Sequence, residues 1–274
     1  MQHVIIDYDK CNEDGICADV CPRKLIAFTK ENSKPIPIPE MEELCISCGH
    51  CLAVCPSGAI SLKESSPDEC AKINKKLRPG YDQLDHLIRS RRSIRVYKDK
   101  PVERRIIEEL LDTCRYAPSG SNSQPVKWII VSGRERLLAL GQMVIDWMKD
   151  AIESKHPLAE KLPLSAYVAG WEKGEDRIFR NAPMVVMAHA AELGSLPLES
   201  SVIAMTYFEL AANIKGFGTC WIGFLMHTAN LNPQIKKSLG IPEAHKLYGA
   251  MSIGYSKYSY QRIPPRNQTD VAWW

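Results

Sequence analysis

The sequence lacks the features that mark several classes of protein. No apolar run approaches the roughly 20 residues of a membrane span, and no charged segment followed by an apolar one opens the chain. We therefore expect a cytoplasmic protein without a membrane anchor. The formal net charge is only +3 and the basic residues are scattered, which argues against nucleic acid as a partner. No G-x-G-x-x-G segment follows a predicted strand, so there is no sign of a Rossmann site for a nicotinamide cofactor.

Cysteine, by contrast, is abundant and unevenly distributed. Seven of the ten cysteines lie within the first 55 residues, at short intervals. A small secreted protein would pair them in disulfides, whereas this spacing is typical of metal ligands in a reducing compartment. The length of 274 residues and the hydrophobic content of 45% suggest about two domains that bury ordinary cores.

The most regular cysteine motif is C-x-x-C-x-x-C-x-x-x-C-P, from Cys45 to Pro56. Three thiolates at three-residue intervals can surround one face of a cubane iron–sulfur cluster, and the fourth, Cys55, points to a second cluster. A zinc site would need only C-x-x-C pairs, and disulfides would need an oxidising compartment. The motif therefore predicts iron–sulfur clusters.

An upstream copy of this motif makes an internal repeat of strand, cysteine loop and short helix. It contains Cys11, Cys17, Cys21 and Pro22, but Asp14 stands where the second cysteine is expected. The polar, proline-containing segment between the copies, residues 30–43, is expected to be a loop or hairpin.

Residues 1–63 resemble a bacterial-type ferredoxin with two clusters. The resemblance implies that the fourth cysteine of each motif ligates the other cluster. Cluster one would be held by Cys11, Cys17 and Cys55, with Asp14 as a further oxygen ligand or as a residue that faces solvent. Cluster two would be held by Cys21, Cys45, Cys48 and Cys51. A carboxylate is a harder ligand than a thiolate, so cluster one is expected to be 4Fe-4S or, with a labile fourth iron, 3Fe-4S.

Residues 64–82 are charged and show no clear period, which is typical of a linker. From there helices alternate with strands, although the order of strands in the sheet cannot be read from the pattern. Pro101 is expected at the first position of a helix, and the region from the end of the next long helix to Phe179 is expected to be irregular, like a lid. The role of residues 142–179 is left open.

Three stretches of the second half carry polar chemistry. The first has guanidinium and hydroxyl groups suited to a phosphate: Arg91, Arg92, Ser93 and Arg95. The second is a turn-rich loop, residues 117–128, whose Ser119, Asn122 and Gln124 can bond a polar heterocycle. The third is G-F-G-T-C-W-I-G, residues 216–223, where small residues allow backbone amides to approach a planar ligand.

These stretches, with P-P-R near the end, resemble the nitroreductase family of flavoproteins over residues 83–274. The resemblance implies an α+β sandwich that forms a homodimer with FMN at the subunit interface. The ribityl phosphate would be held by Arg91, Arg92, Ser93 and Arg266, with Arg262 as a further contact. The partner chain would contribute Pro118, Ser119, Asn122 and Gln124. The isoalloxazine ring would be lined by Cys220, Trp221, Ile222 and Gly223.

The sequence thus predicts an α+β protein with a two-cluster ferredoxin domain (1–63), a linker (64–82) and a nitroreductase-like FMN-binding domain (83–274). We expect an FMN-dependent oxidoreductase in which the clusters exchange single electrons with FMN, which reduces a small organic substrate. Ferredoxin or NAD(P)H is the expected donor, and no residue is singled out as a catalytic acid or base. The alternatives are an electron-transfer module between a redox partner and the flavin, or a family member that consumes flavin or removes halogens.

Overall fold

The fold is described from a computed structural model, which covers residues 3–28 and 34–274. The chain forms two compact units, and each is described by itself. The first unit contains residues up to Arg78 together with Ser121–Ser123, and the second contains the remainder from Pro79. Among the described residues, no helix has the length and apolar character needed to cross a bilayer.

In the residues that the structure describes, the first unit contains two short antiparallel strand pairs, three short α-helices and two single 3₁₀ turns, Pro67–Glu69 and Lys75–Leu77. One pair joins β1 (Val4–Ile6) to β4 (Ile60–Leu62), and the other joins β2 (Ile26–Ala27) to β3 (Ile36–Pro37). The helices are α1 (Ile16–Asp19), α2 (Met41–Leu44) and α3 (His50–Val54). Part of the expected loop or hairpin between the cysteine motifs, residues 30–33, lies outside the described residues.

A small apolar cluster holds this unit together, and the cysteine loops wrap around it. Its fully buried members are Val4, Cys17, Leu25, Ile26, Met41, Leu52 and Ile60. So small a core stabilises a domain only weakly by itself, because little apolar surface leaves water. Ligation of clusters would therefore contribute to the stability of this unit.

The second unit is built on a four-stranded antiparallel sheet in the order β5-β6-β8-β7. The strands are β5 (Lys127–Ser132), β6 (Met184–Ala191), β7 (Gly218–Trp221) and β8 (His245–Gly254). β6 and β8 occupy the centre of the sheet. β6 is almost entirely buried, in keeping with its nearly continuous apolar sequence, whereas β8 is buried mainly in its second half.

Helices cover both faces of this sheet. Their bounds are α4 (Tyr81–Ser90), α5 (Arg104–Cys114), α6 (Arg134–Glu153), α7 (Pro157–Lys161), α8 (Leu164–Glu172), α9 (Pro197–Ile214), α10 (Gly223–Leu231) and α11 (Pro233–Ser238). Successive residues of β6 point to opposite faces. Val185 and Met187 pack with α6, α8, α10 and α11, whereas Met184, Val186 and Ala188 pack with α5 and α9. The predicted α+β class is confirmed.

Two expectations about local structure were wrong. The region after α6 is not irregular, because α7 and α8 form there and bury Leu164 and Tyr167 against the core of that face. Pro101 does not begin a helix, because the backbone is extended at Glu103 and α5 starts only at Arg104. Since α7 and α8 are short, the repeat of apolar residues in each is too brief to be recognised in the sequence.

Candidate functional site

The two cysteine loops of the first unit repeat the same backbone geometry. Each helix that follows a loop starts after a glycine with positive φ, Gly15 before α1 and Gly49 before α3. The residue two positions before each of these glycines also has a positive φ. Asp14 and Cys48 therefore occupy equivalent places in the two loops, so the repeat seen in sequence is also a repeat in structure.

One group of potential ligands forms around Cys17. Its thiol lies within electrostatic range of Asp14, Cys11 and Cys55. Burial raises the pKa of Cys17, and the negative charges of these three neighbours raise it further. Asp14 itself is exposed, and its Oδ1 accepts a hydrogen bond from the amide of Ile16 at 3.1 Å. The structure thus brings together the four residues expected at cluster one.

A second group forms around Cys51. Its thiol lies within electrostatic range of Cys48, Cys45 and Cys21. Burial, with the charges of these thiolates, raises the pKa of Cys51 to about 11. Four thiols that oppose each other's ionisation favour a cationic group at their centre, because metal binding requires the thiolate form. These are the four residues expected at cluster two.

Backbone amides donate hydrogen bonds to Cys21 and Cys55. Each of these is the fourth cysteine of its own motif and belongs to the ligand group of the other motif. The amide of Leu25 donates to Cys21 Sγ, and the amide of Ala59 donates to Cys55 Sγ, both at 3.3 Å. Burial pushes the pKa of Cys55 up, but hydrogen bonds from the Ser57 hydroxyl and from nearby amides outweigh it and hold this pKa below its ordinary value. Such donors stabilise the thiolate that an iron cluster needs.

Within residues 3–28 and 34–274, no three His, Cys, Asp or Glu side chains converge closely enough to share one metal ion. A cubane cluster makes a different demand, since each of its ligands binds a different iron atom. The donor set of each group, thiolates with one carboxylate in the first, fits an iron–sulfur cluster. Those residues would hold the clusters, which supply single-electron transfer when bound.

In the second unit, the arginine turn after α4 lies beside β7. Ser93 forms a parallel bridge with Thr219, and the amide of Ile94 donates to the carbonyl of Thr219 at 2.8 Å. Arg91 Nη1 donates to Oε1 of Glu209, a buried acid on α9, at 3.0 Å. Thr219 Oγ1 donates to the same oxygen at 3.3 Å. Two of the three predicted cofactor stretches are thereby joined.

The other predicted phosphate ligands differ in placement. Arg92 is half-buried and Arg95 is exposed in the same turn. Arg262 and Arg266 lie in the exposed segment that follows β8. None of these four forms an ion pair with an acid in the part of the chain that the structure describes, so their guanidinium groups are available to an anion.

The end of β7 opens into a cavity of about 250 Å³. Its lining residues are Leu162, Tyr167, Arg177, Ile178, Arg180, Trp221, Ile222, Gly223, Phe224 and His227. A Cβ atom at Gly223 would meet open space, so a flat ligand can approach the backbone there. Three of the four residues expected to line the isoalloxazine ring therefore face one cavity.

The fourth of these residues, Cys220, is buried and anchors β7. Its carbonyl accepts a hydrogen bond from Ser252 Oγ at 3.3 Å, and Ser252 Oγ lies 2.8 Å from the hydroxyl of Tyr97. Burial raises the pKa of Tyr97 strongly, so this phenol stays protonated and donates to the carbonyl of Ile94 at 2.7 Å. The arginine turn and the end of β7 are fixed by one buried network.

The residues of the second stretch, the turn-rich loop 117–128, fall in two different places. Ser119 Oγ accepts a hydrogen bond from the amide of Gln124 at 3.0 Å. With Pro118, these residues line a second cavity of about 120 Å³ beside α9. Asn122 belongs instead to the first unit, where its Nδ2 donates to the carbonyls of Ile46 (3.2 Å) and Ser47 (3.0 Å). The loop tip is thus engaged by the loop that carries Cys45 and Cys48.

The backbone of this loop is strained at three non-glycine residues. Ser121, Asn122 and Gln124 all have φ values between 45° and 53°, in the left-handed region. Such conformations cost about 1 kcal/mol or more each and persist only where the surroundings impose them. The strain marks the loop as a functional candidate.

Sequence reasoning missed several residues that shape these sites. Glu209 was not singled out, although an acid between the apolar residues Phe208 and Leu210 of α9 was a usable signal for a buried ion pair. Tyr167 and Arg177 lie within residues 142–179, whose role was left open, and Arg180 follows directly after that segment. No pattern in the sequence placed them beside β7, because their contacts are with residues far along the chain.

Comparison with known proteins agrees with this geometry. Residues 88–255 match the model of the nitroreductase family, and residues 9–59 match that of the 4Fe-4S dicluster domain. A nitrobenzene nitroreductase of Ectopseudomonas oleovorans is 40% identical over 217 residues, which cover 69% of this chain and 92% of that protein. A 4-nitrobenzoate reductase of Nocardioides sp. is 25% identical over 224 residues, covering 71% of this chain and 88% of that protein.

A solved structure shares the fold of the second unit. A nitroreductase from Bacteroides fragilis, described with bound FMN, superposes with a TM-score of 0.55 at 24% identity. The match covers 69% of this chain and 99% of that one. Since the family model spans more than half of the sequence and the E. oleovorans enzyme is similar over most of its length, this chain belongs to the nitroreductase family and carries a 4Fe-4S dicluster domain at its N-terminal end.

Proposed function

We propose that the protein is an FMN-dependent oxidoreductase that reduces nitroaromatic compounds and exchanges single electrons through its iron–sulfur clusters. The observation that carries the proposal is the joining of the arginine turn to β7 by the Ser93–Thr219 bridge, next to a cavity at Trp221–Gly223. This arrangement offers cations for a phosphate and a flat-sided cavity for a ring in neighbouring positions of one unit. The nitroreductases with which the chain shares sequence and fold support the same cofactor and reaction.

In this proposal Arg91, Arg92, Ser93 and Arg266 hold the phosphate of FMN, with Arg95 and Arg262 as further cations. Guanidinium groups bind phosphate oxygens in pairs and keep their charge at all physiological pH values. FMN when bound would accept electrons one or two at a time. The amide of Gly223 would donate toward the ring, since backbone donors fixed in position stabilise negative charge that develops there.

No described side chain is proposed as the proton donor for the substrate. Conversion of a nitro group to a nitroso group takes two electrons and two protons and releases water. His227 lines the cavity, but solvent can supply these protons because the cavity is partly open. The role of the protein is therefore to bind and orient the reactants.

We also propose a homodimer. Several large apolar side chains of the second unit are at least one-third exposed: Leu198, Val202 and Tyr207 on α9, and Tyr258, Tyr260, Trp273 and Trp274 near the C-terminus. Exposed apolar patches of this kind usually mark association surfaces. The contribution of Pro118, Ser119, Asn122 and Gln124 to the site of the partner chain remains part of this proposal. The many thiolate ligands support a reducing, cytoplasmic location.

The test is an anaerobic reduction of the purified holoprotein with reduced ferredoxin, NADH and NADPH, in the wild type and in Cys48→Ala. The proposal expects reduced ferredoxin to reduce the flavin rapidly in the wild type and slowly in Cys48→Ala. The matched control is Cys70→Ala, which removes an exposed cysteine outside both ligand groups. If the nicotinamides work equally well in all three proteins, the clusters are dispensable and the cluster part of the proposal fails.

The same preparation tests the reaction. Steady-state turnover of nitrobenzene with the best donor should exceed the background rate, and it should depend on the FMN content. If the flavin is reduced and reoxidised by a redox partner while nitrobenzene is not consumed, the protein is an electron-transfer module. A preparation that contains neither iron nor flavin absorbance would refute both versions.

A further inference from the structure

We propose that a basic cavity at the edge of the central sheet binds an organic phosphate about the size of a nucleotide. The cavity lies where β5 ends at Ser132 and β6 begins at Met184, and its volume is about 540 Å³. Its lining shares no residue with the cavity at the end of β7 and includes none of the residues proposed to hold FMN. The inference therefore goes beyond the proposed function and does not depend on it.

The lining of this basic cavity carries an excess of positive charge. Its charged members are Lys98, Lys100, Arg104, Arg134 and Asp99. Arg104 is neutralised by Glu108, which lies outside the lining. In the described part of the chain, the other three cations form no ion pair with an acid. Three unpaired cations against one carboxylate give a concave wall a positive potential, which attracts anions.

Two of these cations are held in place without being neutralised. Arg134 Nη1 donates to Oδ1 of Asn181 at 2.6 Å, and this amide oxygen fixes the guanidinium group but leaves its charge unbalanced. Asn181 in turn donates from its backbone amide to Oδ2 of Asp176 at 2.9 Å. The ammonium group of Lys100 lies 4.2 Å from the ring centroid of Tyr255. A cation that is already positioned loses less side-chain entropy when it binds an anion.

The segment that carries Lys98 and Lys100 is anchored to the chain that follows β8. Tyr97 is buried and forms an antiparallel bridge with Ser256. The amide of Lys98 donates to the carbonyl of Tyr255 at 2.8 Å. The backbone at the two lysines is therefore fixed beside the cavity, so that they can act together on one ligand.

Two helices begin at the same cavity. α5 starts at Arg104 and α6 at Arg134, and no side chain caps either start in the part of the chain that the structure describes. The first amides of a helix have no acceptor within the helix and carry the positive end of its dipole. Phosphate groups bind well to such amides. The helix starts therefore reinforce the preference for an anion that the unpaired cations establish.

The size and the apolar part of the cavity indicate a ligand larger than inorganic phosphate. Val102, Ala182 and Met184 line it and are nearly fully buried. Sites for small molecules typically have volumes of about 300–1,000 Å³ and combine apolar walls with a few polar groups. Inorganic phosphate would leave most of this volume empty. The ligand is therefore an organic phosphate whose apolar part contacts these three residues.

The experiment is an anaerobic calorimetric titration of the holoprotein, loaded with FMN and clusters. The titrants are adenosine monophosphate, adenosine and inorganic phosphate, which separate the contribution of the phosphate group from that of the organic part. FMN content, iron content and melting temperature are measured for every protein.

The variants remove the cations of the cavity in two steps. Arg134→Gln can still donate to Asn181 but carries no charge, and Arg134→Lys keeps the charge without the planar fork. The double variant Lys98→Gln/Lys100→Gln removes the other two unpaired cations. The matched control is Arg136→Gln, which removes an exposed arginine of α6 that does not line the cavity.

The inference expects Arg134→Gln and the lysine double variant to weaken binding of adenosine monophosphate about ten- to a hundredfold, because each loses charge-assisted hydrogen bonds. Arg134→Lys should be intermediate, and Arg136→Gln should bind like the wild type. Adenosine and inorganic phosphate should each bind the wild type more weakly than adenosine monophosphate, by about a factor of ten or more. The FMN content should be the same in all proteins.

Failure of adenosine monophosphate to bind the wild type, or equal affinity in the wild type and in both charge-removing variants, would overturn the inference. Adenosine that binds as tightly as its monophosphate would exclude a role for the cations, and inorganic phosphate that binds as tightly would exclude one for the apolar residues. Release of FMN during the titration would place the nucleotide in the flavin site and would also overturn it. Turnover of nitrobenzene decides the proposed function separately, because it is measured without an added phosphate compound.

Discussion

Substitution of Glu209 by Gln should destabilise the second unit by about 2–3 kcal/mol. Glu209 is only 7% exposed, and it is the ion-pair partner of Arg91 at 3.0 Å. Glutamine keeps the size of the side chain and can still accept the hydrogen bond from Thr219, but it removes the negative charge. Breaking a fully buried pair costs about 3–5 kcal/mol, and the 24% exposure of the Arg91 side chain lowers that value, because water partly solvates the remaining cation.

The assay is urea unfolding followed by tryptophan fluorescence, with the FMN-free protein kept under anaerobic conditions. All six tryptophans lie in the second unit, so the signal does not report on the cysteine loops. The matched control is Glu108→Gln, which breaks an exposed pair with Arg104 on α5. Exposed pairs contribute little, so this control should stay within about 0.5 kcal/mol of the wild type.

Addition of FMN extends the test. If Arg91 also holds the phosphate, the ligand supplies the charge that Glu209 has lost, and the difference between the variant and the wild type should shrink. FMN should then bind Glu209→Gln at least as tightly as it binds the wild type. The reasoning is refuted if Glu209→Gln is no less stable than Glu108→Gln without FMN.

Three further predictions concern other parts of the chain. Asn122→Ala should alter the electron paramagnetic resonance signal of a reduced cluster and speed iron release, because the carbonyls of Ile46 and Ser47 lose their hydrogen-bond donor. The control Ser123→Ala should change neither property. Gly141→Ala should lower the free energy of unfolding by about 1–3 kcal/mol, because a Cβ there would collide with the ring of Trp171, and an unchanged urea midpoint would contradict this. Burial and neighbouring basic groups lower the pKa of His189, so the unfolded chain takes up its proton first and stability should fall as pH drops below about 6.5. Below about pH 6.5, the melting temperature of His189→Gln should depend less on pH than that of the wild type. An equal dependence in the two proteins would count against this explanation.

The sequence predicted best where chemistry dictates spacing or where a backbone conformation requires glycine. The cysteine intervals lead to the two ligand groups because an iron cluster accepts few arrangements of thiolates. Gly216 follows the end of α9 with a positive φ of 82° that other residues rarely adopt, so a glycine at this place is a helix-end signal that can be read from the sequence. β6 has a nearly continuous apolar sequence, and such a run can be read as a buried strand from the sequence alone.

The parts that could not be predicted depend on contacts between distant residues. Arg91 and Glu209 are 118 positions apart, and nothing local in either segment indicates that they form a pair. The turn that presents Arg180 is fixed by Asp176, but its relation to Trp221 follows from the packing of α8 and α10. The order of strands in the sheet also depends on contacts between distant residues. β7 pairs with β8 and not with β6, the strand that precedes it in the chain.

The loop tip Ser121–Ser123 has a consequence for how this protein can be divided. The chain passes into the second unit at Pro79, returns to the first for three residues, and leaves it again at Gln124. A fragment that starts at Pro79 would therefore keep a strained tip but lose the carbonyls of Ile46 and Ser47 that accept from Asn122, and a fragment that ends at Arg78 would lack Asn122. Genetic exchange of one half for that of a relative would succeed only if this tripeptide were exchanged with the cysteine loops. The tripeptide therefore belongs by sequence to the second unit and by its contacts to the first.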